Sequence, residues 1–136
     1  MLYSLVLIAS ELCYNLHEEE FFIGVFESKQ QAKDVAEYYL TEVSGFCEYP
    51  CNYRIEAKEV VGKFDTKIHK HTWIVWGWNV NENEDEIDII ESKCHLTKES
   101  AIEELNIMKA HSQRMEWTID QYKIGEQKWN KGFVRV

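Results

Sequence analysis

Proline is nearly absent from this sequence: Pro50 stands alone among 136 residues, with only six glycines beside it. So little conformational punctuation, in a chain that is 45% hydrophobic, excludes a disordered tail or a flexible linker. No glycine-rich phosphate loop can be placed, and neither a Gly-x-Ser-x-Gly elbow nor a His-Glu-x-x-His pair occurs. An enzyme is therefore not the leading expectation, although a triad assembled in space leaves little local trace. Basic residues are short as well, 15 Lys and Arg against 24 Asp and Glu, for a net charge of −9. Phosphate backbones are held by clustered Lys and Arg, so nucleic acid is not an expected direct ligand. An acidic chain more readily meets a basic protein.

A long apolar run is missing too. The opening "MLYSLVLIASELC" has the length of a signal peptide without its positive leader, since the first Lys or Arg is Lys29. It falls far short of the ~20 residues that cross a bilayer. The expectation is a cytoplasmic protein, off the membrane, whose first strand is buried. Four cysteines (Cys13, Cys47, Cys51 and Cys94) make no disulfide framework in a chain of this length, and reduced thiols follow.

What is present is a pattern that occurs twice. "LYSLVLIA" and "FFIGVFE" read as two strands. Ser28 is a helix N-cap with Gln31 in capping-box position, and Ala32, Val35, Ala36, Tyr39, Leu40 and Val43 form one helical stripe ending near Gly45. "YRIEAKEVV" alternates as a half-buried strand. At an offset of 64, "EIDIIES" matches "FIGVFES" and "WTIDQYKI" matches "YRIEAKEV", with "TWIVWGW" as first strand and Thr97 as the second cap. The alternation of both last strands slips, which predicts a bulge in each.

The predicted fold is α+β, a tandem β-β-α-β duplication with a mostly antiparallel sheet and two helices on one face. One six-stranded sheet is preferred to two sheets packed face to face. A single compact domain is expected over 1–136, with pseudo-repeat halves at 1–63 and 70–126. The extension 127–136 is expected to add a short hairpin or edge strand, and "NKG" marks its turn.

Two acidic stretches, "HEEE" and "NENEDE", then fall at the same hairpin loop of each half. Carboxylates at a loop first of all keep an edge in water. Beyond that, Glu18, Glu19, Glu20, Glu82, Glu84, Asp85 and Glu86 offer an acidic surface to a basic protein. A calcium loop fails, because Glu86 stands where glycine is required and Ser92 where a bidentate Glu is required. In "TWIVWGWNV" the strand period sets Ile74, Trp76 and Trp78 on one face and Trp73, Val75 and Gly77 on the other. Such rings mostly fill a core, but an exposed Trp73 or Trp78 beside an acidic loop would be an interface anchor. Gly77 opposite them leaves room for a ligand or a second backbone.

Cys47, Cys51, Cys94 and His95 have the chemistry of zinc ligands, against the geometry of a strand, which turns adjacent side chains to opposite faces. His69 and His71 would share a strand face, and a solvated loop is the better reading there.

The run "IGVFESKQQAKDVAEYYL" followed by "GFCEYPCNYRIEAKEV" resembles small uncharacterised bacterial and phage domains. It spans residues 21 to 60, and its marks are Gly24, Val25, Ser28, Ala32 and Gly45. The resemblance implies a fold and a bacterial or mobile-element origin, and carries no activity. The leading expectation is a non-catalytic acidic interaction module, of the inhibitor or immunity type, that covers a partner's basic surface. No cofactor is expected, and self-association is left open. A small-molecule or zinc-binding protein is the alternative, followed by an enzyme without a recognisable motif.

Overall fold

The computed structural model describes residues 1–10 and 18–134. Cys13 and His17, the first residue of the "HEEE" stretch, lie outside the described residues. The chain is an α+β protein, with two helices and mostly antiparallel strands among the described residues, and it divides into two compact units. Unit 1 comprises Met1–Lys58 with Ile124–Val136, and unit 2 is Glu59–Lys123.

In unit 1, β1 (Leu2–Ser10), β2 (Glu18–Phe26), α1 (Lys29–Glu42) and β3 (Cys51–Lys58) follow in order, and the sheet runs β2-β1-β3. The aliphatic β1 is central and antiparallel to both neighbours. Leu5, Leu7 and Ala9 alternate along it and meet Phe21, Ile23, Tyr53 and Ile55 from the flanking strands. Onto this face α1 lays Ala32, Ala36, Tyr39 and then Val43, and the two alanines let the helix come close. Ser28 caps it as predicted, its hydroxyl accepting from the Gln31 N–H at 3.1 Å. Such a cap is worth about 1 kcal/mol. Gly45 lies beyond the helix end at φ +84, and a Cβ there would sit 2.6 Å from the Phe133 ring.

The extension forms neither hairpin nor assigned strand among the described residues. It lies along β2 instead: the N–H groups of Gly125 and Lys128 donate to the carbonyls of Val25 and Ile23 at 2.8 Å each. Tyr39 Oη donates to the Lys128 carbonyl at 2.7 Å, and burial raises its pKa to about 12. Phe133 closes an aromatic cluster with Phe21, Phe46 and Tyr49.

Unit 2 contains β4 (Val60–Val61), β5 (His71–Val80), β6 (Glu86–Glu91), β7 (Cys94–His95), α2 (Lys98–His111) and β8 (Glu116–Lys123). Its sheet runs β4-β7-β5-β6, with β8 on β5 as well. All its pairs are antiparallel except β4 with β7. Thr97 caps α2 through the Ser100 N–H at 3.1 Å. Unit 1 has the expected strand, strand, helix, strand order; unit 2 has it in β5, β6, α2 and β8, with the two-residue strands β4 and β7 added, and the first long strand of each is central.

Three expectations change. The strands form two sheets, of three and five strands, and the single six-stranded sheet is not formed. The bulges fall in β2 and β6: β1 and β2 shift register around Ile23, and β5 and β6 shift so that Trp78 opposes both Asp88 and Ile89. The slip read after "YRIEAK" is a strand end, because β3 stops at Lys58 and Val60–Val61 pair with Cys94–His95 in the other sheet.

Candidate functional site

Antiparallel partners and alternate residues of one strand share a face. On β5 this puts Trp78 and Val80 together, with Glu116 of β8 opposite Trp78 and Glu86 of β6 opposite Val80. The bulge adds Ile89 beside Trp78. Val80 is 36% exposed and Ile89 53%, and the Trp78 ring between them is half-buried. Asp88 takes φ +54 in the bulge, held by its carbonyl, which accepts from Arg114 Nε at 2.9 Å, and by its carboxylate, which accepts from Asn79 Nδ2 at 3.2 Å. The apolar patch is therefore mounted on a fixed kink.

Residues 81–85 close the hairpin next to it. The Asn81 side-chain oxygen accepts from the N–H groups of Asn83 and Asp85, both at 2.9 Å, and Asn81 N–H donates to the Asp85 carbonyl at 3.0 Å. Asparagine reproduces a backbone turn in this way. Glu82, Glu84 and Asp85 are exposed around it, and Glu86 opens β6. Four carboxylates and Glu116 thus rim three apolar side chains.

The other acidic stretch differs from its expectation. Glu18, Glu19 and Glu20 begin β2, paired with Ser10, Ala9 and Ile8, so the loop reading is corrected to a strand end. The reason is that β1 extends to Ser10 and carries its partner with it. Glu20 is already engaged: Arg54 Nη1 lies 3.0 Å from its carboxylate and Arg54 Nε 3.0 Å from Glu56. The hydrogen bond from Arg54 to Glu20 is the main cause holding that guanidinium in its charged form.

Trp73 goes elsewhere. It pairs with His95 of β7, and His95 Nδ1 lies 2.6 Å from Ser100 Oγ of α2, so Trp73 is on the helix side of the sheet, half-buried. Gly77 does not leave an open space. The Trp117 ring lies over it, 2.6 Å from where a Cβ would be, with its Nε1–H donating to the Arg114 carbonyl at 3.1 Å.

The zinc candidates are not brought together as a site. Among the described residues no three His, Cys, Asp or Glu side chains come together to hold a metal. Cys94 and His95 are neighbours on a two-residue strand and both buried, while Cys47 is exposed and Cys51 half-buried. His69 and His71 do not share a strand face: His71 begins β5, and His69 Nδ1 accepts from the Asp65 N–H in the turn before it.

Sequence reasoning missed His95 with Ser100. Burial pushes the imidazole pKa down, opposed by Glu104 and reinforced by Lys93. Its Nε2 is buried with no hydrogen-bond partner among the described residues, and Ser100 takes the Nδ1 that a triad gives to its orienting carboxylate. The pair ties β7 to the first turn of α2. Val80 and Ile89 were missed as well: Val80 ends the run "TWIVWGWNV", and the sign of Ile89 was "EIDII", an apolar run whose register a bulge decides.

No family model, no curated protein and no solved structure matches this chain. Among the described residues no helix is long and apolar enough to cross a membrane.

Proposed function

We propose that this chain is a non-catalytic interaction module that covers a basic surface of a protein partner, in the manner of an inhibitor or immunity protein. The observation that carries this reading is the face formed by Trp78, Val80 and Ile89 beside the turn of Glu82, Glu84, Asp85 and Glu86. An aromatic anchor among aliphatic neighbours supplies affinity when water is excluded. The surrounding carboxylates steer a cationic partner and reject an anionic one. The strand end at Glu18, Glu19 and Glu20 supports it less, because Arg54 neutralises part of its charge.

The test is comparative capture by the immobilised chain. One variant carries Trp78→Ala with Ile89→Ser, and a second carries Glu82→Gln, Glu84→Gln, Asp85→Asn and Glu86→Gln. A basic protein held by the wild type and lost with both variants is the expected result. Equal capture by all three would refute the assignment of this face.

A further inference from the structure

The second unit is polarised in charge along its longest strand. Strand β5 has ten residues, a span of about 30 Å. The carboxylate-rimmed patch lies at its Val80 end. At its His71 end the partner residue on β8 is Lys123, and the chain arrives through loop 62–70, "GKFDTKIHK", in which Lys63, Lys67 and Lys70 are exposed. At the tip of that loop Ile68 is 71% exposed.

The loop is built to hold Ile68 there. The Asp65 carbonyl accepts from the N–H groups of Ile68 at 3.1 Å and His69 at 2.8 Å, and the Asp65 carboxylate accepts from Lys67 N–H at 2.9 Å. Phe64 stacks on His69 with centroids 6.0 Å apart, and Lys70 Nζ donates to the Thr66 carbonyl at 2.9 Å. An aliphatic side chain is thus presented on an ordered turn whose three exposed lysines, Lys63, Lys67 and Lys70, outnumber its one carboxylate, Asp65. Ordering in advance lowers the entropy lost on binding.

These two ends are complementary in both respects, an apolar knob within cations and an apolar patch within carboxylates. We infer that the occupant of the Trp78 face is loop 62–70 of a second copy of this chain. This rests on the reading of that face as an interaction surface, and names its partner. Ile68 then meets Trp78 between Val80 and Ile89, with Lys63, Lys67 and Lys70 toward Glu82, Glu84, Asp85 and Glu86. The contact is heterologous, joining the head of one copy to the tail of the next, so it grows into open chains of copies unless the rotation closes a ring. The net charge of −9 on each copy opposes it. Association is therefore expected only at high concentration.

Sedimentation equilibrium up to about 1 mM chain reads the association, a range suited to weak binding. One variant, Lys63→Glu with Lys67→Glu, makes both ends acidic. Another, Glu82→Lys with Glu84→Lys and Glu86→Lys, makes both ends basic. Circular dichroism checks that each folds, and all five side chains are exposed. The wild type is expected to associate, and each variant alone to do so at least about tenfold more weakly, as loss of complementary charge predicts. An equal mixture restores complementary ends at every contact and is expected to recover wild-type association. Ile68→Ser is expected to weaken it by about tenfold or more, as loss of a central apolar contact does. A wild type that stays monomeric, or a mixture no more associated than its components, overturns the second copy as occupant. That failure leaves the Trp78 face to the capture experiment, which is run at submicromolar chain.

Discussion

Truncating Phe133 to alanine tests whether the C-terminal segment is part of the core of unit 1. The ring stacks on Phe21 with centroids 4.9 Å apart, meets Phe46 edge-on at 4.9 Å and lies 5.8 Å from Tyr49. Its backbone N–H also donates to the Ser44 carbonyl at 3.1 Å. Removing a fully buried Phe costs about 3–5 kcal/mol. Phe133 is half-buried, so about 2–3 kcal/mol is expected, of which about 1 kcal/mol belongs to the ring pairs themselves. At a urea slope of roughly 1.5–2 kcal/mol/M, the midpoint falls by about 1–2 M. Trp129 is the one tryptophan of unit 1 and packs edge-on against Phe21 at 4.9 Å. In a 5-fluorotryptophan-labelled chain its fluorine resonance, assigned with Trp129→Phe, reports this cluster alone. Val134→Ala, at a side chain 86% exposed, is the control and is expected to change little, within about 0.5 kcal/mol. A Phe133→Ala midpoint equal to that control would show that the aromatic cluster does not need the segment, and would refute its place in the core.

Acid is expected to weaken unit 2 through His95. Burial holds its folded pKa below the ordinary value of about 6.5, so the unfolded chain takes up the proton first as pH falls. Its contribution is complete above about pH 6.5 and is lost as pH falls through the folded pKa; urea midpoints at pH 5 and 7.5 should therefore differ less in His95→Gln than in the wild type, and equal differences would exclude His95 as the cause. At Gly77, alanine would drive a methyl into the Trp117 ring at 2.6 Å, and a cost of about 1–3 kcal/mol is expected in denaturant unfolding. No loss there would mean that the ring swings away freely despite its bond to the Arg114 carbonyl.

Much of the fold was legible because local chemistry decides it. Ser28 and Thr97 satisfy the first N–H groups of their helices, which needs only a hydroxyl at the right spacing. The apolar alternation of β1 and β5 needs only one buried face. The position of a bulge was not legible, because the same letters "EIDII" bury different residues in different registers, and the kink at Asp88 is met by a distant residue, Arg114. For the same reason the letters alone did not show that Ile89, within β6, emerges on the surface. The acidic triplet was misplaced because strand length depends on a partner, here β1. The carboxylates of the second turn were legible as a surface, whereas the face they rim required the pairing of β5 with β6 and β8.

Unit 1 is written in two pieces, with the whole of unit 2 between them. On a ribosome the usual order, in which the first-made domain finishes first, is therefore reversed. The carbonyls of Ile23 and Val25 wait for Lys128 and Gly125 while the 59–123 segment is made, which takes about 3–13 s at ordinary elongation rates. Throughout that interval β2 is an open edge, and its early residues Glu18, Glu19 and Glu20 carry the negative charge that discourages a neighbouring nascent chain from pairing with it.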